Sequence, residues 1–159
     1  MRTTLNQLKQ DFTEIAEAHL QVHTFYWGSP ELIAKQEDVV YPLVFAYPVT
    51  LRLNDSMTER VIRLGVIDKI FKSWSNLDDV HSDCEIIARD FYRILNRAPR
   101  FRSKWRIDNS PNGEVFTLHD KGQGDNADYV AGVYIDLDVA LRDKNGVCDI
   151  PLDPNFKLR

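Results

Sequence analysis

Residues 41 to 70 read Tyr-Pro-Leu-Val-Phe-Ala-Tyr-Pro-Val-Thr-Leu-Arg-Leu-Asn-Asp-Ser-Met-Thr-Glu-Arg-Val-Ile-Arg-Leu-Gly-Val-Ile-Asp-Lys-Ile. Alternate side chains of a β-strand point to opposite faces. From Tyr41 to Leu53 one face would carry Tyr41, Leu43, Phe45, Tyr47, Val49, Leu51 and Leu53. The other would carry Pro42, Val44, Ala46, Pro48, Thr50 and Arg52. Asn54-Asp55-Ser56 has turn chemistry, and Thr58 to Ile70 returns with Ile62, Leu64, Val66 and Ile70 on one face. The pattern predicts a long antiparallel hairpin. Pro42 and Pro48 share a parity, so their missing N–H groups lie along one lateral edge. Proline cannot donate to a ladder, and this edge is expected to be unpaired within the subunit. Such an edge needs protection or a partner.

Outward from the hairpin, the N-terminal segment reads as a helix capped by Thr3 or Thr4, with Leu5, Leu8, Phe12, Ile15 and His19 at 3-4 spacing. An aromatic run, His23 to Trp27, leads to Gly28, and Ser29-Pro30-Glu31 can start a helical turn. After the hairpin, Ser75 to Asp79 offers caps for a second helix whose stripe is Val80, Cys84, Ile87, Phe91, Ile94 and Leu95. Ala98-Pro99 ends it. The octet Arg100-Phe101-Arg102-Ser103-Lys104-Trp105-Arg106-Ile107 then alternates charge with mostly apolar residues and is read as a strand. Ser110 to Gly113 reads as a turn, Glu114 to His119 as a short strand, and residues 121 to 126 as a loop. Asp128 to Leu141 is a long strand with Tyr129, Ala131, Val133, Ile135, Leu137 and Val139 on one face and Asp128, Tyr134, Asp136 and Asp138 on the other. The expected architecture is one α+β domain with a mainly antiparallel sheet, two helices on one face, and an irregular tail from about Arg142.

The chain has 159 residues and a net charge of −4, which suits a single soluble domain and argues against wholesale nucleic-acid binding. It has no apolar run long enough for a membrane span. Met1-Arg2-Thr3-Thr4-Leu5-Asn6 lacks a signal-peptide pattern. Cys84 and Cys148 are far apart, which suits reduced thiols in a cytoplasm.

The charge is uneven. Arg93 to Arg106 holds six basic residues and no acidic one, whereas Asp108 to Asp138 holds seven acidic residues and only Lys121 as a cation. In a strand, Arg100, Arg102, Lys104 and Arg106 would stand about 6.6 Å apart on one face and need anions opposite. Three partners fit. The stripe could pair within the sheet against Asp136 and Asp138. It could meet the acidic face, Asp128, Asp136 and Asp138, of a neighbouring subunit head to tail. It could touch nucleic-acid phosphates, although strand parity sets Phe101 and Trp105 on the opposite face from the charges and so weakens a stacking role.

No constellation of nucleophile, base and orienting group is expected, and no cofactor. His19 and His23 are four apart but lack the metalloprotease glutamate between them. Asp143-Lys144-Asn145-Gly146 fails as a calcium loop, because its first and last ligand positions would be Leu141 and Leu152. Gly122 and Gly124 precede no helix. Cys84 lies on an apolar stripe, Cys148 has no recognisable activating base, and Asp68 reads as a paired or marginal carboxylate. An enzyme would need a ligand near Asp68, His23 or His119.

Several segments carry a resemblance: Phe25-Tyr26-Trp27-Gly28, Tyr41-Pro42-Leu43-Val44-Phe45, Gly65-Val66-Ile67-Asp68, Val80-His81-Ser82-Asp83-Cys84-Glu85-Ile86-Ile87 and Cys148-Asp149-Ile150-Pro151. In this order the chain resembles bacteriophage neck and tail ring proteins, particularly tail-terminator or tail-completion proteins such as those of crAss-like and other Bacteroides phages. The resemblance implies a non-enzymatic virion protein made in the host cytoplasm. It would form a ring of six or twelve subunits between portal and tail, contact other neck, tail or portal proteins, and leave an axial path for DNA. The alternative is a non-catalytic adaptor that binds an acidic protein or nucleic acid.

Overall fold

The structure, a computed structural model, describes residues 4–33, 39–53, 57–108, 111–119 and 129–142. Helix α1 (Leu5–Ala18) begins with a capping box. The Thr4 hydroxyl accepts from the Gln7 backbone N–H at 3.3 Å, and the Gln7 carboxamide accepts from the Thr4 N–H at 3.2 Å, which satisfies two donors a helix start leaves unpaired. Strand β1 (Thr24–Trp27) and a single helical turn, α2 (Pro30–Ile33), follow. The predicted hairpin is β2 (Leu43–Leu53) and β3 (Met57–Lys69). Helix α3 (Leu77–Arg97) comes next, then a second single turn, α4 (Pro99–Arg102), and the strands β4 (Trp105–Ile107), β5 (Asn112–His119) and β6 (Tyr129–Arg142).

The sheet runs β1-β2-β3-β6, and β5 and β4 lie end to end along the far edge of β6. All pairs are antiparallel except β1–β2. This is the α+β architecture the sequence predicts. Leu8, Phe12 and Ile15 of α1 join Val80, Cys84, Ile87, Phe91 and Leu95 of α3 in one core with Val44, Ala46, Ile62, Leu64, Val66, Val133, Leu137 and Val139 of the sheet. On the opposite face Leu43, Phe45 and Ile67 form a smaller cluster, with Tyr26, Tyr41, Tyr47 and Phe116 around it. The Phe45 ring lies across Gly65, its register partner. A Cβ at Gly65 would stand 2.0 Å from Phe45 Cζ, so glycine is what lets the ring lie flat there. Among the described residues no helix is long and apolar enough to cross a membrane.

Three expectations are corrected. The first concerns the hairpin's faces. The β2–β3 register shifts between Pro48 and Thr50: Pro48 opposes Ile62, but Thr50 opposes Val61. One extra residue inverts every side chain beyond it. Leu51 and Leu53 therefore leave the face of Leu43 and Phe45. From Pro48 to Leu53 the whole of β2 is exposed.

The second concerns the proline edge. The Pro42 and Ala46 carbonyls accept from the His23 and Gly28 N–H groups at 3.0 and 2.9 Å, so even-numbered residues do turn their peptide groups to one side. That side is not open along its length, because β1 pairs with Leu43–Ala46. Beyond Ala46, from Tyr47 to Leu53 and including Pro48, no strand among the described residues pairs with this edge.

The third concerns residues 100–107, which are not one strand. Ala98 is extended, as a residue before proline prefers, and Pro99 restarts a helical turn at the first position, where its missing N–H costs nothing. Only Trp105–Ile107 is strand. Phe101 and Trp105 are buried all the same, since a spacing of four suits a helix face as well as a strand face. The expected 110–113 turn is also partly replaced, because β5 starts at Asn112.

A charged side chain is sealed in this core. Asp11, on α1 beside Phe12, is 2% exposed. Its carboxylate accepts from Trp105 Nε1–H at 2.7 Å and from Lys104 Nζ at 3.0 Å. The pair ties α1 to the segment entering β4, 94 residues away. Asp11→Ala should leave the buried indole N–H without an acceptor and cost about 2 kcal/mol. That corresponds to a drop of about 4–8 °C in melting temperature, which thermal unfolding followed by circular dichroism measures directly.

Candidate functional site

The four cations of the predicted stripe go four ways. Arg100 pairs with Glu14 of α1 and lies over the Phe101 ring, 5.3 Å from its centroid. Lys104 is held by Asp11. Arg102 is exposed on the helical turn, and Arg106 is exposed on β4. The anions part company as well. Asp136 is the register partner of Arg63 and accepts two parallel hydrogen bonds from its guanidinium, both at 2.8 Å. Such bidentate pairs are the strong kind, and the hydrogen bonds to Asp136 raise the Arg63 pKa still further above its ordinary value. Arg63 also lies over the Tyr134 ring at 4.2 Å, and the Tyr134 hydroxyl donates to Glu114. Asp136 is thus occupied within its own subunit by a residue the sequence reading passed over.

Asp138 is exposed and lines a shallow recess of about 340 Å³ with Arg52, Glu59, Arg106 and Asp108. This is where the two charge poles approach each other, on the sheet face away from the helices. Among the described residues no ion pair joins Arg106 to Asp138. Asp128, His119's side chain, Gly122, Gly124, Cys148 and the 143–146 turn lie outside what the structure describes.

The histidines do not form a metal pair. His19 caps α1, stacks on Phe91 at 6.1 Å and stands 3.4 Å from Asp90, while His23 is exposed. Among the described residues no group of three or more His, Cys, Asp or Glu is placed to hold a metal ion. Cys84 is buried, and burial pushes its thiol pKa up to about 12, so it is the inert core residue expected.

A groove of about 610 Å³ lies between α3 and the β5–β6 end of the sheet. Its floor is Val115, Val133 and Ile135, and its helical wall includes Ala88 and Tyr92. Arg89, Arg93 and Arg97 stand along that wall at four-residue spacing, which puts them on one side of the helix. The groove exists because α3 packs over β3, β6 and β4 and diverges from β5. His81, nearer the start of α3, still reaches the Phe116 carbonyl at 3.2 Å. Val115 is consequently 64% exposed. Arg89 is paired with Glu85, and Glu114 is engaged by Tyr134. The spacing Arg89-x3-Arg93-x3-Arg97 was visible in the sequence, but the groove beside it was not.

No protein-family model and no curated protein matches the chain. Among solved structures, one known by a sequence identifier alone is 14% identical over 86% of this chain and 96% of its own, with a TM-score of 0.45.

Asp68 projects into the helix side near Asp83 and His23, with one carboxylate oxygen accepting from the Lys69 N–H at 2.7 Å. Burial raises its pKa above the ordinary carboxylate value. The folded state therefore holds the proton more tightly than the unfolded chain does. Its contribution to stability is present below the unfolded pKa and lost as pH rises through the folded one. Asp68→Asn should be more stable than the parent at pH 7 and indistinguishable from it at the acid end of the folded range. Urea midpoints at stepped pH values from 7 downwards, compared between the two proteins, test this sign.

Proposed function

We propose that the chain is a virion structural protein: a tail-terminator-like subunit of a head–tail connector or tail ring. It would join the capsid neck to the tail and leave an axial path for DNA. The observation that carries this reading is the way the sheet ends. On one margin the distal half of β2, from Tyr47 to Leu53, has a neighbour only on its β3 side among the described residues, and its Val49, Leu51 and Leu53 side chains are 44%, 49% and 74% exposed. On the other margin β5 has a neighbour only on its β6 side among the described residues. An unpaired edge carrying apolar side chains is a template for another chain. Two different edges on opposite margins favour a head-to-tail contact, which closes into a ring where the rotation allows.

The resemblance of the 25–28, 41–45, 65–68 and 80–87 segments to phage neck and tail proteins supports the same reading. The contacts expected of the 100–106 stripe and the Asp128–Asp138 face are revised accordingly. Arg102 and Arg106 remain available for a neighbour or for passing DNA, whereas Arg100, Lys104 and Asp136 are committed within the subunit. A second reading, a non-catalytic adaptor for an acidic protein or nucleic acid, draws on the arginine-lined groove.

The test is to purify the chain with its neck partners and measure particle mass, with negative-stain images of the product. Closed rings built into the neck are expected. A chain that stays monomeric with those partners present and never enters the particle sinks the proposal.

A further inference from the structure

Resting on the ring reading, we propose that the groove between α3 and β5–β6 receives the Phe71–Ser75 turn of a second copy of this chain. Each copy would then offer a knob to one neighbour and a groove to the other. Phe71 is 63% exposed and Trp74 38% exposed, on the segment joining β3 to α3. This segment is held in shape. Trp74, at φ 61°, donates its N–H to the Phe71 carbonyl at 2.8 Å. The Asn76 side chain bridges the turn, accepting from the Phe71 N–H at 2.8 Å and donating to the Lys69 carbonyl at 3.4 Å. Two aromatic side chains displayed on a preorganised turn lose little freedom on docking.

The groove is complementary in both shape and charge. Its floor is apolar, with Val115 largely exposed, and its volume of about 610 Å³ is of the size that accepts aromatic groups. Its helical wall carries three arginines. The knob itself carries Lys72, and on the α3 side of it Asp78, Asp79 and Asp83 are all exposed, so carboxylates outnumber cations there. Glu85 is already taken by Arg89, so Arg93 and Arg97 are left facing whatever enters. An aromatic knob with three carboxylates on its α3 flank matches an apolar groove with a cationic wall.

The knob cannot fill its own groove. It is fixed at the start of α3, a helix of 21 residues spanning about 30 Å at 1.5 Å per residue, and the groove is built on the second half of that helix. The contact is therefore between copies and heterologous, as ring formation requires.

Two variants of the full chain separate the halves of the contact. Val115→Glu places a charge on the groove floor and keeps the knob. Phe71→Ser with Trp74→Asn removes the knob and keeps the groove, asparagine being the residue that best tolerates a positive φ. Both changes are at exposed positions, and near-ultraviolet circular dichroism verifies the folds. In sedimentation at high concentration, the wild type should associate and each variant alone should be monomeric. An equimolar mixture should form a one-to-one heterodimer and nothing larger, because only one intact contact is possible. A monomeric wild type, variants that associate like the wild type, or a mixture that stays monomeric would each overturn the proposal. So would a monomeric chain that binds a short DNA duplex through Arg93 and Arg97. If the wild type and both variants all enter the neck ring, this contact is wrong and the ring stands. If the wild type never enters it, the ring reading falls as well.

Discussion

The pairing of β3 with β6 is the constraint on which everything else depends. The two strands run antiparallel from Met57 opposite Arg142 to Lys69 opposite Val130 without a shift in register. The pairs Ile62–Leu137, Leu64–Ile135 and Val66–Val133 fall on the helix side, and the pairs between them, Arg63–Asp136, Gly65–Tyr134 and Ile67–Gly132, fall on the other. Because the side-chain period is two, a slip of one residue would turn the apolar set to solvent and bury the arginine. The bidentate Arg63–Asp136 pair therefore marks the register as much as it stabilises it. On the helix side, α1 and α3 have one apolar surface to cover, and each long side chain buried there contributes about 1.5–3 kcal/mol.

The margins of the sheet depart from this regular centre. β2 follows β3 faithfully until the bulge after Pro48. β4 and β5 share the far edge of β6 but not one register: Ile107 opposes Val139, whereas Asn112 opposes Asp136. The registers of β4 and β5 on β6 therefore differ by two residues. The bulge leaves exposed leucines on one margin, and α3, which covers the middle, leaves Val115 exposed on the other. A sheet with a rigid centre and two unlike, incompletely covered margins is suited to repeated lateral contact.

The hairpin and the long last strand were legible because their alternation persists over many more residues than chance supplies. The two main helices were legible from stripes at 3-4 spacing. The 100–107 octet was not. Only Phe101, Trp105 and Ile107 are apolar there, and the spacing of four between the first two fits both periods, so the proline decided the matter. The consequence for the site was large. A strand would have aligned four charges on one face, whereas a helical turn followed by a short strand scatters them to Glu14, Asp11, solvent and the far face of the sheet. The bulge at Val49 was equally silent, since both parities of β2 near it are apolar enough to pass as a core face.

By itself the sequence determined the class of the fold, the extent of its long strands and helices, the apolar stripes of the two long helices, and the edge to which the prolines turn. These are consequences of local periodicity and backbone chemistry, which act over a few residues. Only the tertiary structure decided which charges meet. Asp11 finds Trp105 and Lys104, and Arg63 finds Asp136, across separations of 73 to 94 residues. Likewise the groove arises because α3 packs over β3, β6 and β4 more than over β5, a matter of packing between distant elements that no local pattern encodes.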